Sequence, residues 1–243
     1  MNKIYILFFI FISLFSNLSF ASAQKSSLVA DYKFVNDIHN TVSLQRGAKY
    51  FVNYCMGCHS LKYMRFSSLA KDIEVEEEIF FKNLVFTNKK IGETMTISMK
   101  PSDAELWFGA VPPDLSLIAR SKGTDWIYSY LNTFYEDDNT MSGFNNLVYP
   151  NTAMPHILAD LQGSQKLVLD SDNNPVSFQK VLDGEYNEIE YQQMTSDITN
   201  FLAYVSEPAK LKRQSMGFWV LMFILIFTII AYYTKKEFWK DIK

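Results

Sequence analysis

The chain has 243 residues, a formal net charge of −3 and an aromatic content of 16%. This length allows one or two domains, and the mild acidity argues against nucleic acid, whose binding needs basic patches. Two cysteines are too few for the disulfide framework of a small exported protein.

Residues 1–23 begin with Lys3, continue through an apolar run from Ile4 to Phe15 broken only by Ser13, and end on Ala21-Ser22-Ala23. A positive start, an apolar stretch of this length and an A-x-A site read as a secretory signal peptide cleaved before Gln24. An uncleaved anchor is the alternative. The exported body is then 24–208.

From Ser43 the spacing predicts a helix with Leu44, Ala48, Phe51, Val52 and Cys55 on one face. It runs into Cys55-Met56-Gly57-Cys58-His59, the C-x-x-C-H pattern of covalent c-type haem attachment. Each thiol adds to one haem vinyl group, two intervening residues span the distance between the vinyls, and the histidine following can ligate the iron. A structural zinc site would need four Cys or His ligands, and only His39 and His156 remain besides this motif. A thioredoxin-like pair would sit near a βαβ pattern, and none surrounds Cys55.

Asp72 to Glu78 is an acidic run, either a docking patch for a basic partner or a solvated helix face. Ser102-Asp-Ala-Glu105 reads as a capping box, Asp114 as an N-cap for Leu115 to Ser121, and Thr124 as the cap of a helix with Ile127, Tyr130, Leu131 and Phe134 on one face. Glu136 to Ser142 is a polar loop. Leu167 to Leu169 and Val176 to Val181 are strand candidates joined by a turn-rich run. Thr195 to Val205 is helical, and Glu207-Pro208 interrupts it.

Met216 to Tyr233 carries no charge and is long enough to span a bilayer. Trp219, Tyr232 and Tyr233 lie near its ends, where interfacial aromatics belong. The expected anchor is 209–234. Lys210, Lys212 and Arg213 flank its outer end, so the signal peptide sets the topology: residues 235–243, with Lys235, Lys236, Lys240 and Lys243, stay in the cytoplasm.

An electron-carrying c-type haem usually has a second axial ligand, and a thioether in that place raises the potential. Met95, Met99, Met141, Met154 and Met194 are available. Met154 is favoured because Pro150 and Pro155 stiffen the loop on both sides of it. Met194 opens a helix and suits the core, and His156 could compete as a ligand, although a local hydrogen bond is its favoured role.

Four stretches resemble the cytochrome c1 family, most closely its bacterial members. They are Ser43 through Ser60 with Lys62-Tyr63-Met64-Arg65; Trp107-Phe-Gly109 through Ser116, with Arg120; Tyr149-Pro-Asn151 and Ala153-Met-Pro-His156 through Gly163; and the single C-terminal anchor. The resemblance implies a mostly α protein: a cytochrome-c-like helical haem domain with loop insertions and a small β-hairpin, plus one C-terminal transmembrane helix. It implies one haem c held by Cys55 and Cys58, with His59 and Met154 as axial ligands and Arg120 on a haem propionate, a bond suited to a bidentate guanidinium. Pro112 and Pro113 would wall the pocket.

The implied role is electron transfer within a ubiquinol–cytochrome c reductase of the respiratory chain, from the Rieske iron–sulfur protein to a c-type cytochrome. Cytochrome b is the implied membrane partner, the complex is dimeric, and the haem domain faces the periplasm from the bacterial inner membrane. Such a chain is a subunit of an oxidoreductase and is not catalytic alone. The haem motif by itself also fits a free-standing anchored shuttle, an oxidase haem subunit, or a haem enzyme or gas sensor with an open iron position.

Overall fold

A computed structural model describes residues 28, 32–86 and 88–241. The signal peptide expected over residues 1–23 lies outside the described residues.

Helix α1 (Thr41–Tyr50) begins at Asn40, whose side chain accepts from the Ser43 amide at 3.0 Å. That bond satisfies one of the free N–H groups of the first turn. Leu44 and Ala48 face inward, followed by Phe51 and Val52. The face expected from the spacing is therefore the buried one. Beyond Tyr50 the helix widens into a π-turn, Phe51–Cys55, closed by the Met56 amide on the Phe51 carbonyl.

Strands β1 (Leu61–Arg65) and β2 (Thr94–Met95) pair antiparallel and enclose α2 (Phe66–Asp72) and α3 (Glu77–Leu84). Glu77 and Glu78 of the acidic run lie in the first turn of α3, where negative charge complements the helix dipole. Asp72 accepts from the buried Tyr204 hydroxyl at 2.6 Å.

Three capping expectations are corrected. Helix α4 (Pro101–Phe108) starts on Pro101 at its first position and is preceded by Lys100, so Ser102 is already inside the helix and bonds Asp103 instead of capping. Proline suits that place because its missing N–H would be unpaired there anyway. Gly109 ends α4 in the left-handed conformation.

Asp114 does not cap a helix over 115–121. Its carboxylate takes the Ser116 and Lys62 amides, and α5 (Ile118–Ser121) begins later, after Leu117. Helix α6 (Thr124–Asn132) is preceded by Gly123, and Thr124 is its first residue without a side-chain cap bond. Ile127 and Leu131 are buried as expected, but Phe134 belongs to the following strand.

Strands β3 (Phe134–Glu136) and β4 (Phe144–Asn146) flank the polar loop, and α7 (Ala159–Gln162) leads into β5 (Gly163–Leu169) and β6 (Pro175–Asp183). The described residues hold three two-stranded sheets. The one hairpin expected is β5–β6, longer than its apolar residues suggested.

Helix α8 (Glu188–Ser206) starts seven residues before the expected Thr195. Asn187 and Glu190 form a reciprocal capping box at its start. It packs on α1, α5 and α6 and forms the spine of the domain. At the α1–α8 crossing Gly47 lets the backbones touch: a Cβ there would press on the Asp197 carbonyl oxygen and lie 2.6 Å from Phe201 Cβ. The rings of Phe51 and Phe201 meet at 5.4 Å. Each fully buried ring contributes roughly 2–3 kcal/mol by area removed from water.

Asp197, 1% exposed, is neutralised at this crossing by Arg46 through two bonds of 2.6 and 2.9 Å, and also accepts from Ser43 at 2.7 Å.

After Glu207 and Pro208, helix α9 (Lys210–Phe238) leaves the domain. The most apolar 18-residue stretch of its segment Lys212–Phe238 has a mean hydropathy of 2.2, and among the described residues nothing covers that stretch. By length and composition it is fit to cross a membrane.

Candidate functional site

The two cysteines and the histidine sit where α1 runs out. The π-turn ends at Cys55, and the chain then doubles back: the Cys58 and His59 amides both bond the Cys55 carbonyl, at 3.1 and 2.9 Å. A π-turn inserted at a helix end shifts the direction of the residues after it. Here it brings both thiols and the imidazole onto one tight turn. The structure places Cys55, Cys58 and His59 together on this turn.

Both thiols are free and half-buried. Burial and the neighbouring Cys58 push the Cys55 thiol up to about 12, and burial raises Cys58 as well. A redox-active C-x-x-C pair shows the reverse, a thiol pKa lowered by positive surroundings.

His59 is buried, and its Nδ1 lies 2.8 Å from the Pro113 carbonyl oxygen. A carbonyl only accepts, so Nδ1 carries the proton and Nε2 carries the free lone pair. Among the described residues Nε2 has no hydrogen-bond partner. Burial lowers the His59 pKa, opposed by the Pro113 bond and the charge of Asp114, so the ring is neutral near pH 7. A neutral imidazole with its tautomer fixed by a backbone carbonyl is the form a metal ligand requires. The donor set thus fits a covalently bound haem: two unpaired thiols and one imidazole nitrogen left open.

The segment carrying Pro113 is held against the turn. Asp114 accepts from the Lys62 amide at 2.9 Å, and the Leu115 amide donates to the Ser60 carbonyl at 2.9 Å. The prolines were expected as a wall. That the Pro113 carbonyl orients His59 had no signal in the sequence, because a backbone acceptor carries no residue signature.

The candidate thioethers fall into three environments. Met95 and Met194 are fully within the core, and Met141 is 84% exposed. Met99 and Met154 are half-buried in irregular segments. Met154 lies in the loop between β4 and α7.

His156, the competing ligand, is buried and stacked on Phe134 with centroids 4.7 Å apart and planes 3° from parallel, with Phe144 edge-on at 5.2 Å. Burial pushes its pKa down to about 4, and its Nε2 is unpartnered among the described residues. Arg120 lies on α5, exposed, and makes no ion pair among the described residues.

Residues 31–242 match the model of the Cytochrome C1 family. Cytochrome c1 of Allochromatium vinosum is 46% identical over 212 residues, covering 85% of this chain and 87% of that protein. A protein named ammonia monooxygenase gamma subunit, from Nitrosomonas europaea, is 43% identical over 82% of this chain and 83% of its own length. The mitochondrial cytochrome c1 of Neurospora crassa is 29% identical over 83% of this chain and 63% of its own length. With its haem-attachment turn inside a match of this extent, the chain belongs to the cytochrome c1 family, the haem-c-bearing electron-transfer subunits of the bc1 complex.

Proposed function

We propose that this chain passes single electrons from the Rieske iron–sulfur protein to a c-type cytochrome, held beside cytochrome b in a dimeric ubiquinol–cytochrome c reductase. The observation that carries the haem reading is the His59–Pro113 bond, which leaves Nε2 open on the turn that bears both thiols.

Cys55 and Cys58 would form the thioethers, His59 and Met154 would ligate the iron, and Arg120 would pair with a propionate. The haem, when bound, supplies a one-electron iron couple whose potential the axial ligands and burial tune. The residues of the chain do the rest. The Pro113 carbonyl fixes the tautomer of His59. Pro112 and Pro113 would wall the ring from water. With both His59 and Met154 as ligands, the reduced state would be favoured and no position would be left for an outside ligand. The site therefore relays electrons and performs no bond chemistry of its own.

In this reading residues 24–208 form the haem domain on the periplasmic side, residues 209–234 cross the inner membrane once, and residues 235–243 lie in the cytoplasm. The lysines of that tail agree with the positive-inside tendency.

The test is an optical redox titration of the purified complex and of its Met154→Leu variant, ended by adding carbon monoxide to the reduced samples. The expected result is a wild type closed to the gas and a variant of lower potential that binds it. A wild type that binds carbon monoxide, with the variant indistinguishable from it, overturns the Met154 assignment. Purification without cytochrome b favours the free-standing shuttle.

A further inference from the structure

The loop from Leu147 to His156 has no regular structure, yet it is fastened at closely spaced points to the α6–β3–β4 unit. The Val148 and Tyr149 amides donate to the Asn146 side-chain oxygen at 2.9 and 3.1 Å, and the Asn151 amide donates to the Asn145 side-chain oxygen at 2.8 Å. Asn146 is fully buried, and its amide nitrogen donates to the Tyr130 carbonyl at 2.8 Å.

Two fastenings lie two residues either side of Met154. Before it, the buried Thr152 hydroxyl is hydrogen-bonded to the Tyr130 phenol at 2.8 Å. After it, His156 is clamped between the face of Phe134 and the edge of Phe144. Tyr130 is itself held by rings: it stacks on Trp126 at 5.0 Å, 8° from parallel, and meets Phe134 edge-on at 5.1 Å. The two ends of the five-residue span 152–156 thus converge on one aromatic column, Trp126–Tyr130–Phe134–His156.

A thioether is a weak iron ligand on a flexible side chain. Its occupancy depends on how little freedom its backbone retains when unbound. Pro155 restricts one side of Met154, and on the other side the Tyr130–Thr152 bond is the last tie before it.

We propose that Tyr130 is a positioning residue for Met154, acting through its hydrogen bond to Thr152 to hold the ligand loop against the haem iron. This rests on the Met154 reading above. Tyr130 touches neither haem nor partner in this role, and its effect reaches the iron only through the loop.

The test uses the full-length haem-loaded protein in its complex, comparing wild type with Tyr130→Phe, Thr152→Val, Thr152→Ser, the Tyr130→Phe/Thr152→Val double variant and Met154→Leu. The readouts are carbon monoxide binding to the reduced haem and the methionine-to-iron charge-transfer band of the oxidised haem. Tyr130→Phe keeps every ring contact and removes only the hydroxyl. Loss of one buried hydrogen bond is worth about a tenfold change in an equilibrium. Tyr130→Phe is therefore expected to bind the gas about tenfold more readily than wild type, with a weakened band. Thr152→Val should match it, the double variant should be no worse than either single variant, and Thr152→Ser should behave as wild type.

Should Tyr130→Phe fail to take up haem, Thr152→Val reads the same bond from its other end. If Met154→Leu opens the iron while Tyr130→Phe and Thr152→Val leave it closed with an unchanged band, the positioning role is overturned and the ligand assignment stands. If Met154→Leu leaves the iron closed, the ligand assignment fails and the positioning role falls with it.

Discussion

His59 and Pro113 lie 54 positions apart in the chain, yet one hydrogen bond of 2.8 Å joins the imidazole Nδ1 to the proline carbonyl. The bond decides which nitrogen is free, and it holds only while the 112–116 segment stays against the haem turn. Asp114 contributes to that attachment through the Lys62 amide, beside the Leu115–Ser60 backbone bond. Replacing Asp114 by Ala is expected to destabilise the domain by about 1–3 kcal/mol, the cost of unpairing such groups. With His59 as the proposed iron ligand, a looser Nδ1 bond would make the imidazole a poorer electron donor, so the midpoint potential should rise. Thermal melting and redox titration of the variant check the two effects.

The α1–α8 crossing has no room at Gly47. Gly47→Ala drives a methyl group into the Asp197 carbonyl and Phe201. Backbone cannot yield as a long side chain does, so the expected destabilisation is about 1–3 kcal/mol. A fall in the melting temperature of the haem-loaded protein, with an unchanged haem spectrum, would show that the damage is to the helix crossing.

Arg46→Met at the same crossing keeps the length of the side chain and removes its charge, leaving the carboxylate of Asp197 buried without its cation. Breaking a buried pair from one side costs roughly 3–5 kcal/mol. Arg46 is 43% exposed, so water screens part of that cost and about 2 kcal/mol is expected. The double variant Arg46→Met/Asp197→Asn should recover part of the loss in chemical denaturation, because the orphaned charge is gone.

His156 gives stability a pH dependence of defined sign. Its pKa falls from near 6.5 in the unfolded chain to about 4 in the native state, chiefly because burial disfavours the imidazolium. The unfolded state then binds more protons between those values, so stability is full above about pH 6.5 and declines as pH drops toward 4. His156→Gln cannot take up that proton and should flatten this part of the profile, as read by denaturant midpoints at several pH values.

Much of this architecture is legible in the sequence because it rests on side-chain pattern. The buried face of α1 follows from the spacing of Leu44, Ala48, Phe51 and Val52. The haem turn follows from C-x-x-C-H, and α9 follows from an uncharged run. The misjudged features depend on alternatives that a local reading does not rank. Ser102 and Thr124 look like caps, but Pro101 and Gly123 settle where those helices start. Strands β1 to β4 are two to five residues long and held by long-range pairing, such as Leu61 with Met95, so no period has room to develop. The start of α8 was missed because Glu188 to Gln193 is mostly polar, while its capping box at Asn187 and Glu190 was present to be read.

Removing residues 209–243 is expected to release a water-soluble, haem-loaded body with an almost unchanged melting temperature. Among the described residues nothing covers the apolar stretch of α9, and the side-chain ties across the junction are the Glu207–Arg213 ion pair and the His39–Gln214 contact at 3.3 Å. Phase partitioning and melting of the shortened protein check this. A large drop in melting temperature would mean that the helix supports the fold.

Three residues, Glu207 to Ala209, separate the end of α8 from the start of α9. Fully extended they reach about 10 Å, and Pro208 removes part of that freedom. A linker of that reach cannot carry the domain away from the membrane surface. In a membrane the domain stays at nearly fixed height, like a post and not a ferry.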